Sequence, residues 1–189
     1  MEGKSSQSDP VNIVLIGDGY VGKTSILKAL GNCEYNVRSA TQANLYDELH
    51  IEHKLSDRSV HFKLIDTAGQ EEYDEVRREW YKKAQMFVVC FSLADKVSYE
   101  NVLERWIPEI QPYRHKTVIL VGTKLDLRQP RSPDCVNSEK GVRLQKKIGA
   151  KHYVECSAAT GHGLKQIIDA ASSAIVANQR GTKNSCTVQ

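Results

Sequence analysis

The run Val11-Asn12-Ile13-Val14-Leu15-Ile16 leads straight into Gly17-Asp18-Gly19-Tyr20-Val21-Gly22-Lys23-Thr24, and Ser25-Ile26-Leu27-Lys28-Ala29-Leu30 follows. A short β-branched stretch, a glycine-bearing turn and a helical apolar repeat at Ile26, Leu27 and Leu30 spell strand, loop and helix. The loop has the spacing G-x-x-x-x-G-K-[ST], which wraps the phosphates of a nucleotide triphosphate. Its glycines let the backbone turn tightly and aim several N–H groups at phosphate oxygens, at a helix N-terminus whose dipole also favours negative charge. Gly17, Asp18, Gly19, Tyr20, Val21 and Gly22 form this cradle, and Ser25 extends it into the helix. Lys23 is placed to reach the β- and γ-phosphates. Thr24 offers a hydroxyl to Mg²⁺, a hard ion that takes oxygen ligands from one or two protein groups and the phosphates themselves.

Outside this loop the chain has the composition of one ordinary domain. It has 189 residues, 40% of them hydrophobic, enough for a single core and short for two. The formal charge of +3, set against 26 basic and 23 acidic residues, indicates no nucleic-acid-binding face. Arg77-Arg78 and Lys82-Lys83 read as a solvated helix face. The longest apolar stretch, Met86–Phe91, is too short to span a bilayer, and residues 1–10 lack the apolar segment of a signal peptide. Five cysteines (Cys33, Cys90, Cys135, Cys156, Cys186) without C-x-x-C pairing suit reduced packing residues of a cytoplasmic protein.

Strand-like and helix-like blocks alternate along the chain, which predicts an α/β fold with a mostly parallel sheet and helices on both faces. Val11–Ile16, Met86–Phe91, Thr117–Val121 and Tyr153–Cys156 read as strands buried on both sides. Leu49–Leu55 and Val60–Ile65 alternate about a Ser56-Asp57-Arg58-Ser59 turn, predicting a β-hairpin with an antiparallel edge strand, six strands in all. Helical spacing joins Tyr99, Val102, Leu103, Trp106, Ile107 and Ile110, and again Leu164, Ile167, Ile168, Ala171, Ala174 and Ile175. Ligands of such sheets sit beyond the carboxyl ends of the strands. The loops there are the phosphate loop, Asp66-Thr67-Ala68-Gly69-Gln70, Gly122-Thr123-Lys124-Leu125-Asp126 and Ser157-Ala158-Ala159.

Taken in this order, the four loops closely resemble the motifs of the Ras-superfamily small GTPases, over roughly Asn12 to Ala177. Asp66–Gln70 with Glu71-Glu72-Tyr73, the run Cys90-Phe91-Ser92-Leu93, and Thr123-Lys124-Leu125-Asp126-Leu127-Arg128 look most like the Rho/Rac family. The resemblance implies a P-loop NTPase of small G-protein fold spanning 11–178, with a stretch 1–10 and a tail 179–189 expected to be flexible. It implies a switch that binds GTP and GDP with Mg²⁺, hydrolyses GTP slowly, and acts as a monomer through effectors, exchange factors and GTPase-activating proteins. By the same resemblance Asp66 holds Mg²⁺ through a water, Gly69 offers its N–H to the γ-phosphate, and Gln70 orients the attacking water. Asp126 accepts from guanine N1–H and the 2-amino group, a donor pair that adenine lacks. Lys124 lies along the base, Thr123 belongs to the same motif, and Ser157, Ala158 and Ala159 contact the guanine carbonyl oxygen. Tyr35, twelve residues after Lys23, falls where the family sets an aromatic ring against the base. Two rivals stay open on sequence: a nucleotide-bound interaction module without hydrolysis, and an adenine-nucleotide P-loop enzyme, which the Thr123–Asp126 motif disfavours.

The chain departs from the family pattern in three places. The first switch lacks the Pro-Thr pair; Thr41 is the nearest candidate Mg²⁺ ligand, one residue out of register from Lys23. Tyr20 stands where the family has a small residue. Arg128–Glu139 is shorter than a Rho-type insert. At the end of the chain, Cys186-Thr187-Val188-Gln189 matches C-a-a-X, and terminal Gln leans toward farnesyl. One prenyl chain beside only Arg180 and Lys183 implies reversible attachment to the cytoplasmic face of a membrane.

Overall fold

A computed structural model describes residues 9–32, 36–42, 46–55, 58–67, 74–129 and 131–184. Its centre is β1 (Val11–Ile16), whose side chains alternate between two apolar layers and are all buried from Ile13 onward. Ile13 and Leu15 enter a layer closed by α1 (Lys23–Gly31) and α6 (Leu164–Asn184). Val14 and Ile16 enter the opposite layer, closed by α2 (Asp74–Lys83), by the helical run from α3 (Lys96–Asn101) to α4 (Ile107–Ile110), and by α5 (Ser138–Ile148). A strand sandwiched in this way must be apolar on both faces, which is why it reads as a continuous run.

The remaining strands are β2 (Asn36–Gln42), β3 (Tyr46–Lys54), β4 (Ser59–Thr67), β5 (Met86–Ser92), β6 (Thr117–Thr123) and β7 (His152–Glu155). They form one sheet in the order β2-β3-β4-β1-β5-β6-β7. Pairing is parallel from β4 across β1, β5 and β6 to β7, and antiparallel for β2 with β3 and β3 with β4. The six expected strands are present in the expected sense. A seventh, β2, adds to the hairpin, so the antiparallel β3 is interior and β2 forms the edge. Asn36-Val37-Arg38-Ser39-Ala40-Thr41-Gln42 lacks clean alternation, and its register slips between Val37 and Ser39, so its sequence carries little strand signal.

One further expectation is corrected. Arg77 is not on a solvated face: only 1% of it is exposed, whereas Arg78, Lys82 and Lys83 are exposed. The helix α6 continues to Asn184, into the stretch expected as a tail. Cys90 and Cys156 are buried as packing residues, and Cys135 is half-buried. Cys33 and Cys186 lie outside the described residues.

Candidate functional site

At the carboxyl end of β1 the chain must turn beneath β5. Gly17 has φ +143°, and a Cβ there would stand 2.2 Å from the Cys90 carbonyl oxygen, so no other residue fits. Gly22, with φ +104°, is the N-cap of α1, whose first turn holds no acidic residue. The helix therefore presents its positive end to the loop unopposed. Within the loop Gly17 and Val21 are buried, Asp18 and Gly22 are half-buried, and Gly19, Tyr20, Thr24 and Ser25 are exposed. Tyr20 adopts left-handed φ +62° with 91% of its surface exposed, a conformation that a bulky residue adopts only under constraint.

Lys23 is folded inward across this loop, its Nζ donating to the carbonyl oxygens of Gly17 and Asp18, each at 2.8 Å. Burial lowers its pKa, and the charge of Asp66 acts in the opposite direction. The Thr24 hydroxyl donates to Asp66 Oδ2 at the end of β4. Asp66 is buried, and its Oδ1 has no hydrogen-bond partner. Burial raises the Asp66 pKa, while the Thr24 hydroxyl and Lys23 pull it down. A carboxyl group with an unpartnered buried oxygen, beside a hydroxyl, is a pair of hard oxygen donors suited to a divalent cation. Among the described residues no group of three or more His, Cys, Asp or Glu could hold a metal alone, so Mg²⁺ here would draw its other oxygens from phosphate and water.

Side-chain and backbone hydrogen bonds tie the other loops to this one. Thr123 Oγ1 donates to the Val21 carbonyl and, at 3.1 Å, to that of Phe91. Lys124 takes a left-handed turn at φ +55°, which starts the short 3₁₀ turn Leu125–Leu127 and leaves Asp126 exposed. Leu125 N–H donates to the Cys156 carbonyl at 3.0 Å, and Cys156 N–H to that of Gly122 at 2.8 Å. Burial, with the nearby Asp126 charge second, pushes the Cys156 thiol up to about 12. Ser157 is buried, and its Oγ accepts from Thr160 N–H at 3.2 Å, which shapes the turn carrying half-buried Ala158 and exposed Ala159. The structure thus gathers Gly17 to Ser25, Asp66, Thr123, Lys124, Asp126 and Ser157 to Ala159 on one rim.

Thr41 is placed differently. Its backbone pairs with Glu48 of β3, which pairs with Ile65 of β4, so one whole strand separates it from the strand carrying Asp66. Two strand spacings are about 10 Å. Tyr35, Gly69 and Gln70 lie outside the described residues.

The sequence reading missed the support beneath the loop. Asp18 Oδ1 accepts from Trp106 Nε1 at 2.7 Å, and its Oδ2 from Asn101 Nδ2 at 2.6 Å. Asn101 and Trp106 would point about 140° apart on an ideal α-helix. A π-turn at Val102–Trp106, closed by Ile107 N–H to the Val102 carbonyl, brings both to one side. Arg77 of α2 stacks over Trp106, 5.5 Å from the ring centroid, and its Nε donates to Glu109 at 3.2 Å. The Tyr81 hydroxyl donates to the same Glu109 oxygen at 2.9 Å, and burial with that carboxylate raises the Tyr81 pKa. Arg77 and Tyr81 share a helix face at i, i+4; that spacing was the available signal.

Sequence comparison agrees with this geometry. The Ras family sequence model matches residues 12–177. The chain is 34% identical to Rho-related protein racC of Entamoeba histolytica, covering 97% of this chain and 99% of that protein. It is 36% identical to the Ras-like GTP-binding protein RhoL of Drosophila melanogaster, covering 95% and 94%, and 36% identical to Rho-related protein racE of Dictyostelium discoideum, covering 95% and 83%. A phosphate loop braced on a lysine and a carboxylate, joined by Thr123 to a Lys-x-Asp turn, on a chain with these relatives, belongs to the Ras family, and within it the protein is a Rho-like small GTPase that hydrolyses GTP.

Proposed function

We propose that the rim described above is the guanine-nucleotide and Mg²⁺ site of this GTPase, within one domain spanning 11–178. The chain of contacts from Asp66 through Thr24 and Lys23 to the loop, and from Val21 through Thr123 to Leu125 and Cys156, is the observation that supports it. The N–H groups of Gly19 to Ser25 receive the β- and γ-phosphates, and Lys23 exchanges its two carbonyl acceptors for phosphate oxygens. Thr24 and Asp66, the second by way of a water, would hold Mg²⁺, which would supply positive charge against the phosphates. Asp126 accepts from guanine, Lys124 and Tyr35 flank the base, and Ser157, Ala158 and Ala159 close on its carbonyl side. Gly69 senses the γ-phosphate and Gln70 orients the attacking water. Thr41 would reach such an ion only with β2 released from β3, and this strand would then be the GTP-sensing segment for effectors and regulators.

The test is nucleotide titration. Asp126→Ala removes two charge-assisted acceptors worth about 1.5–3 kcal/mol, so GDP binding weakens at least about tenfold while ADP binding, weak already, is unchanged. Equal GDP affinity in both proteins removes Asp126 from the site. Cys186 carries a prenyl group, and the protein works as a monomer reversibly attached to a membrane; among the described residues no helix is long and apolar enough to cross one. Intact mass from a eukaryotic host decides the modification, an unmodified chain ending in Gln189 counting against it.

A further inference from the structure

On one face of the sheet two helical runs lie side by side. The run from α3 to α4 follows β5, and α5 precedes β7, so both start at the carboxyl end of the sheet and pass over the same apolar layer. Their spacing is fixed from below. A Cβ on Gly141 would stand 2.1 Å from the Tyr153 ring, so α5 is seated directly against β7. Tyr99 packs edge-to-face with Phe91, ring centroids 5.4 Å apart, and its hydroxyl donates across to the Lys140 carbonyl at 3.2 Å.

Between the two runs is a cleft of 270 Å³. Tyr99, Leu103 and Leu144 give it an apolar lining, and Lys140, Arg143 and Lys147 stand along its α5 edge. The volume suits an anchoring side chain of a peptide, since pockets for small molecules run from about 300 Å³ upward. Lys96, at the head of α3, lines it too and is paired with Glu100 at 3.3 Å. The three cations of α5 form no ion pair among the described residues, and no described acid lines the cleft. Arg143 and Lys147, four residues apart on one helix, repel each other.

An apolar slot with cations on its rim selects its occupant by both properties. A flat anionic surface would meet the cations and leave the slot unfilled. A peptide that carries an apolar side chain between acidic ones fills the slot and neutralises the rim. The walls stand in place beforehand, held by Gly141 against Tyr153 and by the Tyr99 hydroxyl, so little ordering entropy opposes binding.

We propose that the cleft between α3 and α5 is a docking site for an acidic, amphipathic segment of a protein partner. One leucine or aromatic side chain of that segment enters between Leu103 and Leu144, and its Asp or Glu neighbours meet Lys140, Arg143 and Lys147. The cleft uses no residue of the nucleotide rim and none of β2, so it is open with GDP and with GTP alike. The site is independent of the nucleotide assignments above.

The test selects short random peptides displayed on phage against the full chain loaded with GDP, then titrates a fluorescent synthetic copy of the most enriched sequence. Enriched peptides should set a leucine or aromatic residue among acids, and binding should weaken as salt is raised. Arg143→Glu combined with Lys147→Glu should lower the affinity about tenfold. Leu103→Trp, which fills the slot without altering charge, should lower it by a similar factor. The same charge change elsewhere, Arg78→Glu with Lys165→Glu, should stay within about twofold of the parent. GDP and a slowly hydrolysed GTP analogue should give equal peptide affinity, and melting temperature should match across the variants; Gln replacements and Leu103→Phe stand in for a variant that fails to fold. Enrichment of peptides without acids, equal loss from the two charge pairs, full binding by the Leu103 variant, or tighter binding of the parent to phosphatidylserine vesicles or polyuridylate than to the peptide would overturn the proposal.

Discussion

Asp66 shows how a single carboxyl group can be poorly served by the fold and well served by a ligand. Burial raises its pKa, so the folded protein holds the proton more tightly than the unfolded chain does. The sign follows from linkage: this group favours folding at low pH, and its contribution is lost as pH rises through the folded value. Asp66→Asn cannot titrate. In nucleotide-free, metal-free protein the melting temperature of this variant should gain on the parent's as pH rises from below the ordinary value of 3.8, then level off once the parent carboxyl is ionised. Addition of Mg²⁺ and GDP should reverse the order, because only the parent offers the ion a charged oxygen. A gap that stays constant with pH would mean that the carboxyl is not destabilised by burial. The phosphate loop and the Lys-Asp turn were legible from sequence because their chemistry depends on a few residue types at fixed local spacing. The unpartnered oxygen was not, since burial is set by neighbours far along the chain.

At the level of elements, the run from α3 to α4 does more than cover the sheet. Its apolar spacing was legible, and Tyr99, Val102, Leu103, Trp106, Ile107 and Ile110 all pack in the layer expected of them. The polar use of the same run was hidden, because Asn101 and Trp106 meet Asp18 across 83 and 88 residues and through a π-turn that no pattern announces. Trp106 joins two elements: its N–H holds the phosphate loop from below, and its ring lies under Arg77 of α2. Trp106→Phe keeps most of the packing and removes the N–H, a bond to a charged acceptor worth about 1.5–3 kcal/mol. Release of a fluorescent GDP analogue should quicken by about tenfold, with melting lowered only modestly. An unchanged release rate would show that Asn101 alone positions Asp18.

For the whole molecule, the alternation of strand and helix and the two apolar layers followed from alternating periodicities, whereas the strand order required the topology, because only the parallel crossovers bring its separate segments together. The seventh strand likewise escaped pattern reading, and it has a consequence for how the fold opens. Among the described residues β2 is bonded on one side only, to β3, with a register slip in the middle of the ladder. Peeling it away costs one ribbon of backbone bonds and leaves the parallel sheet intact, so its amides belong to a separate, less stable unit of unfolding. In deuterium oxide the GDP-bound protein should label Asn36–Gln42 well before β1 or β5, while a slowly hydrolysed GTP analogue with Mg²⁺ should erase what protection β2 has. If β2 labels as slowly as β1 with either nucleotide, the strand is a fixed part of the sheet. Otherwise the protein stores its signalling state in the opening free energy of a single edge strand, where a change of a kilocalorie or so, from a partner strand or a point substitution, resets the balance several-fold without touching the nucleotide.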